Sequence, residues 1–161
     1  MLKSIFMEVQ ARLAAVPGIR YVDENWGQLD LGQPPTQWPA VLIDYGDVPW
    51  TNTAGKQQRG DTELVLVVAN MKLTNTSARA PQRQKDQAFY ILEVLNDIHL
   101  KLHGWKPTDA STALIRRRTQ RVIRDDGIQE FRVVYAFTFV DAFVPLVTLP
   151  ETDLDKIIEP L

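Results

Sequence analysis

His99 and His103 lie four residues apart in a stretch of helical pattern, a spacing that can set two imidazoles on the same side of a metal ion. They are the only histidines in the chain, there is no cysteine, and the intervening Leu100-Lys101-Leu102 lacks the glutamate of a zinc-protease helix. A favourable dipole interaction near a helix C-terminus accounts for His103 without a metal. Asp125-Asp126 is a carboxylate pair of the kind acid–base chemistry uses, but it stands before Gly127 between two strand patterns, where turn chemistry explains it. Asp44 and Asp47 flank Gly46 with no base, nucleophile or metal partner recognisable in the sequence. Arg59-Gly60-Asp61 spells an adhesion tripeptide and Asn75-Thr76-Ser77 a glycosylation acceptor, and both signals need an extracellular setting that nothing here advertises. No glycine-rich phosphate loop follows a strand, and no serine sits in a nucleophile elbow. The expectation is a chain with no enzymatic activity and no catalytic, metal-binding or cofactor-binding residues.

The elements that carry these residues alternate between helix and strand patterns. Leu2, Ile5, Phe6, Val9, Leu13 and Val16 recur every three or four positions and predict an amphipathic helix stopped by Pro17-Gly18. Ile19 to Val22 reads as a short strand, followed by an irregular connection through Asn25-Trp26-Gly27-Gln28 and Gln33-Pro34-Pro35 that Trp26 is expected to order. Residues 38–45, with β-branched Val41 and Ile43, read as a buried strand, and 62–69 as its antiparallel partner across a loop or protruding hairpin at 46–60. Pro81 is expected in the first turn of a second helix reaching His103, with Gly104 as its C-terminal cap. Residues 113–124 and 128–141 form a hairpin about Gly127, and Phe131, Val133, Tyr135, Phe137 and Phe139 alternate so as to lie under a helix. A short helix is expected over 153–159. The fold class is α+β, a mostly antiparallel sheet of about four to five strands with two principal helices on one face.

Composition is that of an ordinary globular chain: of 161 residues, 45% are hydrophobic and 24% charged, which suits one domain over 1–161 with 142–161 as an extended C-terminal tail. No apolar run is long enough to span a membrane, and the N-terminus lacks the apolar core of a signal peptide, so the chain reads as cytosolic and without a membrane partner. A net charge of −2 gives no bulk attraction to nucleic acid, so any contact with DNA must be local.

Arg116, Arg117, Arg118, Arg121 and Arg124 are the densest charged feature. Simple strand alternation puts Arg116, Arg118 and Arg124 on one side and Arg117 and Arg121 on the other. Two readings stand: a solvated strand with cross-strand partners such as Glu130, or a contact with a partner subunit or passing DNA. Trp50, beside Lys56 and Arg59, is either an interface anchor or a cover for a sheet edge.

Taken in order, the amphipathic first helix, Asn25-Trp26-Gly27-Gln28, the Trp38-Pro39-Ala40-Val41-Leu42-Ile43 strand, the long loop, the 62–69 strand, the 81–103 helix and the terminal hairpin resemble the tail terminator or tail-completion proteins of tailed phages and prophages. The proline-containing C-terminal tail departs from that pattern. The resemblance implies a subunit of a homo-oligomeric ring, a hexamer, that caps the tail tube, stops its polymerisation and presents a docking surface to the head or neck. Its partners would be itself, the tail tube protein and a neck or head-completion protein, with non-specific contact to passing DNA. It would reside in the host bacterial cytoplasm during assembly and then in the virion tail. Under this resemblance Trp50, Lys56 and Arg59 belong to one contact, Val144, Leu146, Val147 and Leu149 to another, and Arg116, Arg118 and Arg121 to a lumen or tube-facing surface. A neck or head-completion protein is a close variant. The competing expectation is a small-molecule-binding or regulatory α+β domain, or an enzyme, with a pocket beside Trp26, Trp38 and Tyr45.

Overall fold

The structure is a computed structural model that describes residues 1–34, 36–71 and 74–142. Helix α1 (Leu2–Ala14) buries Ile5, Val9 and Leu13 along one stripe, as their spacing requires. Its last turn holds Arg12, which donates from Nε to the Lys101 carbonyl at 2.7 Å and lies 4.5 Å over the Trp105 ring. The chain continues through β1 (Tyr21–Glu24), a 3-10 helix (Gln28–Asp30), β2 (Ala40–Tyr45), β3 (Trp50–Ala54) and β4 (Gln57–Met71). Helix α2 (Gln82–Leu102) and the hairpin β5 (Ile115–Val122) and β6 (Ile128–Ala142) complete it.

The fold is α+β, and the described residues form six strands in the order β1-β2-β4-β6-β5, with β3 paired to β4. Among the described residues only β1 with β2 is a parallel pair, and the expected antiparallel pairing of β2 with β4 is present. Of the two expectations for 46–60, the protruding hairpin is the one present, formed by β3 and the start of β4. All five residues of β3, Trp50-Thr51-Asn52-Thr53-Ala54, are exposed, so no period-two burial pattern reveals it, and Gly55 at φ +57° supplies the turn into β4. Pro81 is the N-cap of α2 rather than a first-turn residue, with extended ψ of 144°. Gly104 follows the C-cap at φ +80°, and Gly127 turns the β5–β6 hairpin at φ +78°.

Both helices lie on one face of the sheet. Val41, Ile43, Leu64, Leu66, Val68, Val133, Tyr135, Phe137 and Phe139 meet Ile5, Val9 and Leu13 of α1 and Ile91, Val94, Ile98 and Leu102 of α2. The alternation of β6 read from the sequence is the one observed. The other face carries a smaller cluster of Leu29, Leu42, Val67, Ala69 and Ile128, joined by Tyr21, Trp38 and Met71. The connection between β1 and β2 is ordered by Gln28 rather than Trp26, which is 55% exposed. Gln28 is fully buried: its Oε1 accepts from the Trp26 N–H at 3.0 Å and its Nε2 donates to the Glu24 carbonyl at 2.8 Å. The expected 153–159 helix and the tail beyond Ala142 lie outside the described residues.

Candidate functional site

The strands β4 and β6 each run for 15 residues and pair throughout, from Gln57 opposite Ala142 to Met71 opposite Ile128. On the other side of β4, β2 reaches only to Leu64, and β3 takes over at Gly60. The sheet therefore ends in a three-stranded ribbon made of β3, the start of β4 and the end of β6. Every residue from Trp50 to Arg59 is exposed. At the base of the ribbon, Trp50, Gly60 and Phe139 form one cross-strand row, with the Trp50 ring edge-on to Phe139 at 5.3 Å. A Cβ at Gly60 would lie 2.9 Å from Phe139 Cζ and from Val48 Cγ1, so the ring contact depends on that glycine. Trp50 covers the sheet and still leaves 42% of itself exposed.

Trp50 and Arg59 share the ribbon but not a face, because Arg59 sits in the next register row, opposite Thr51 and Val140. Arg59 is held by Asp61 at 2.9 Å, and Lys56 occupies the turn between β3 and β4. Val144, Leu146, Val147 and Leu149 lie outside the described residues, which stop where β6 leaves the ribbon.

The second surface is the margin formed by β5, which among the described residues pairs only with β6 and is exposed along nearly all its length. The expected distribution of arginines is corrected by a register shift between Arg116 and Arg118. Arg116 opposes Tyr135 and Arg121 opposes Phe131, which puts both on the helical side, whereas Arg118 opposes Val134 on the other face. Arg117 joins the latter face, where it lines an open cleft of about 750 Å³ with Asp47, Asp61, Glu63, Thr112 and Thr138. Three carboxylates against one guanidinium give this cleft a mildly acidic lining.

Arg124 lies past the end of β5 and does not contribute to that margin. Its guanidinium reaches Glu130 Oε2 at 3.0 Å, Asp30 Oδ1 at 2.9 Å, Asp126 Oδ2 at 2.6 Å and the Leu29 carbonyl at 2.9 Å. Glu130, whose residue is 1% exposed, also accepts from Arg132 Nε at 3.1 Å. The arginine thereby ties the hairpin turn, the 3-10 helix and the sheet together. Its hydrogen bonds to Asp126 hold that carboxyl below its ordinary pKa, and the same bonds raise the pKa of Arg124 against the effect of burial. For Arg124 the reading as a structural ion pair with Glu130 is the correct one.

The histidine pair is a packing feature of α2. The rings are 4.7 Å apart, and His103 Nδ1 accepts the Arg116 backbone N–H at 3.2 Å, fastening the start of β5 to the helix end. His99 Nδ1 is buried without a hydrogen-bond partner among the described residues, and burial first, then Arg116 and His103, lowers its pKa. Among the described residues there is no group of three or more histidine, cysteine, aspartate or glutamate side chains that could hold a metal.

The pocket expected beside Trp26, Trp38 and Tyr45 is not assembled. Trp38 joins the cluster on the open side of the sheet, Tyr45 packs into the helical core with its ring 6.1 Å from Phe6, and Trp26 is exposed. Their strand and loop positions put the three on separate surfaces. Burial raises the Tyr45 pKa further, with Glu24 adding to it.

No family model matches the chain, and no curated protein matches it. Among solved structures, the chain is similar to one described as "Virion of native gene transfer agent (GTA) particle", with 8% sequence identity and a TM-score of 0.49 over 88% of this chain and 95% of that one.

Proposed function

We propose that this chain is a structural virion-assembly protein whose copies close into a ring of six, cap a tail tube, end its polymerisation and offer a docking surface to the head or neck. The observation that carries this reading is the ribbon, in which every residue from Trp50 to Arg59 is exposed and Trp50 stands at the base. Strands β3, β5 and β1 lie at the margins of the sheet formed by the described residues and add further edges for subunit contacts. A closed ring needs two different complementary patches on each copy, and the ribbon and the basic margin are distinct in shape, charge and position. The ribbon would meet the adjacent copy or the tail tube protein. Of Arg116, Arg118 and Arg121, Arg118 on the open face would turn toward the lumen and passing DNA, while Arg116 and Arg121 lie on the helical side.

The test is absolute mass by light scattering over a concentration series, with the tail tube protein added in a second series. A species near six subunits, reduced to monomer by Trp50→Ala combined with Arg59→Glu while circular dichroism stays unchanged, is the expected result. A monomer at every concentration that also fails to associate with tail tubes refutes the proposal.

A further inference from the structure

A groove of about 400 Å³ lies between α2 and the β5–β6 hairpin, on the helical side of the sheet. Phe89 and Leu92 of α2 line it, 45% and 47% exposed, and Phe131 forms part of its floor. Arg121 stands at its β5 margin, with Arg116 further along the same side of that strand. The groove is therefore apolar at its centre and cationic along one wall.

The chain contains a segment of matching character. Phe143-Val144-Pro145-Leu146-Val147-Thr148-Leu149-Pro150 is apolar, and the residues that follow include Glu151, Asp153, Asp155 and Glu159 against a single Lys156. This segment follows Ala142, at the opposite end of β6 from the groove. The distance along β6 from Phe131 to Ala142 is about 36 Å at ~3.3 Å per residue. From Ala142, a fully extended chain reaches Leu149 within about 25 Å. The apolar stretch is thus about 10 Å too short to lie in the groove of its own subunit.

We infer that the segment 143–159 of one copy docks on the helical side of its neighbour, with Val144, Leu146 and Leu149 against Phe89, Leu92 and Phe131 and its carboxylates along Arg121 and Arg116. This rests on the ring reading and assigns that reading its second contact. The apolar centre supplies affinity by excluding water, and the arginine wall sets the direction in which the segment lies. The order of the segment, apolar then acidic, allows both halves to be satisfied only when the chain arrives from outside the subunit.

The absence of native cysteine makes the contact directly testable. Full-length chain carrying Leu92→Cys is mixed with a differently tagged full-length chain carrying Leu146→Cys, and disulfide formation between the two is followed by mass. A Lys3→Cys chain paired with the Leu146→Cys chain reads random collision. The expected yield is about tenfold or more above that control, since docking converts collision into an effective concentration in the millimolar range. Arg121→Glu in the groove-bearing chain lowers it. Yields equal to the control, or preferential closure within a single Leu92→Cys/Leu146→Cys chain, overturn the inference. Light scattering on the unoxidised mixture separates the two claims: an oligomer without the cross-link overturns the docking and leaves the ring standing, whereas a monomer without the cross-link counts against both.

Discussion

Replacing Arg124 with methionine removes the cation that holds Glu130, and the size of the loss follows from what each contact is worth. Asp30 and Asp126 have side chains 76% and 37% exposed, so their ion pairs with Arg124 contribute little. Glu130 is different, because its side chain is 2% exposed and its charge has left water. Stranding a buried charge costs about 3–5 kcal/mol, but Arg132 remains 3.1 Å away, itself 54% exposed and able to compensate in part. The Leu29 carbonyl also loses a donor, worth about 1 kcal/mol. Together these give a loss of about 2–4 kcal/mol. With urea slopes of about 1–3 kcal/mol per molar for small proteins, the midpoint of unfolding should fall by ~1–2 M. Arg124→Lys should recover little, since a point charge cannot fork between the carboxylates and a carbonyl. Adding Glu130→Leu to Arg124→Met should restore most of the stability, because a buried pair exchanged for apolar groups is close to neutral. A loss below about 1 kcal/mol, or a double variant no better than the single one, would refute the view that Arg124 works by neutralising Glu130.

Other predictions concern packing and pH. Gly60→Ala forces a methyl into Phe139 and Val48 and should cost about 1–3 kcal/mol, lowering Tm by several degrees in calorimetry. Gln28→Ala leaves the Glu24 carbonyl and Trp26 N–H without their buried partner, and chemical denaturation should show a loss of about 1–3 kcal/mol. His99 is held below its ordinary pKa in the folded chain, so its contribution is fully present above the unfolded value near 6.5 and is lost as pH falls through the folded value. His99→Gln should flatten the stability-against-pH curve just below that point, and an unchanged slope in pH-dependent melts would contradict the assignment. Arg118→Ala, at an exposed margin position, should change stability by less than about 0.5 kcal/mol in the same melts.

The parts of the fold legible in the sequence are those in which one face is buried. Ile5, Val9 and Leu13 reveal α1, Ile91, Ile98 and Leu102 reveal α2, and the aromatic alternation of 131–139 reveals both the strand β6 and its covered side. The stretch 46–60 reads equally as a loop or a protruding hairpin because Trp50 to Ala54 are all exposed and so carry no burial periodicity that would single out β3. The arginine faces were misassigned for a related reason: alternation assumes an unbroken register, and the shift between Arg116 and Arg118 cannot be seen without the partner strand. Gln28 gave a faint signal as a polar residue within a turn-rich stretch containing an exposed tryptophan, and its role emerged only from its two backbone partners. Of the candidate site residues, Trp50, Lys56 and Arg59 share one ribbon, while the three arginines divide between two faces.

The uninterrupted pairing of β4 with β6 gives the ribbon a mechanical character. Antiparallel ladder bonds run perpendicular to their strands, so tension applied to the ribbon along β6 and resisted along β4 loads the 15 register pairs together in shear rather than opening them one at a time. The far end of that ladder lies beside the Arg124 clamp, through Glu130 and Ile128. A pull at the ribbon is thus carried through the length of the sheet to an ionic anchor, and the helices ride on the span between without sitting in the line of force.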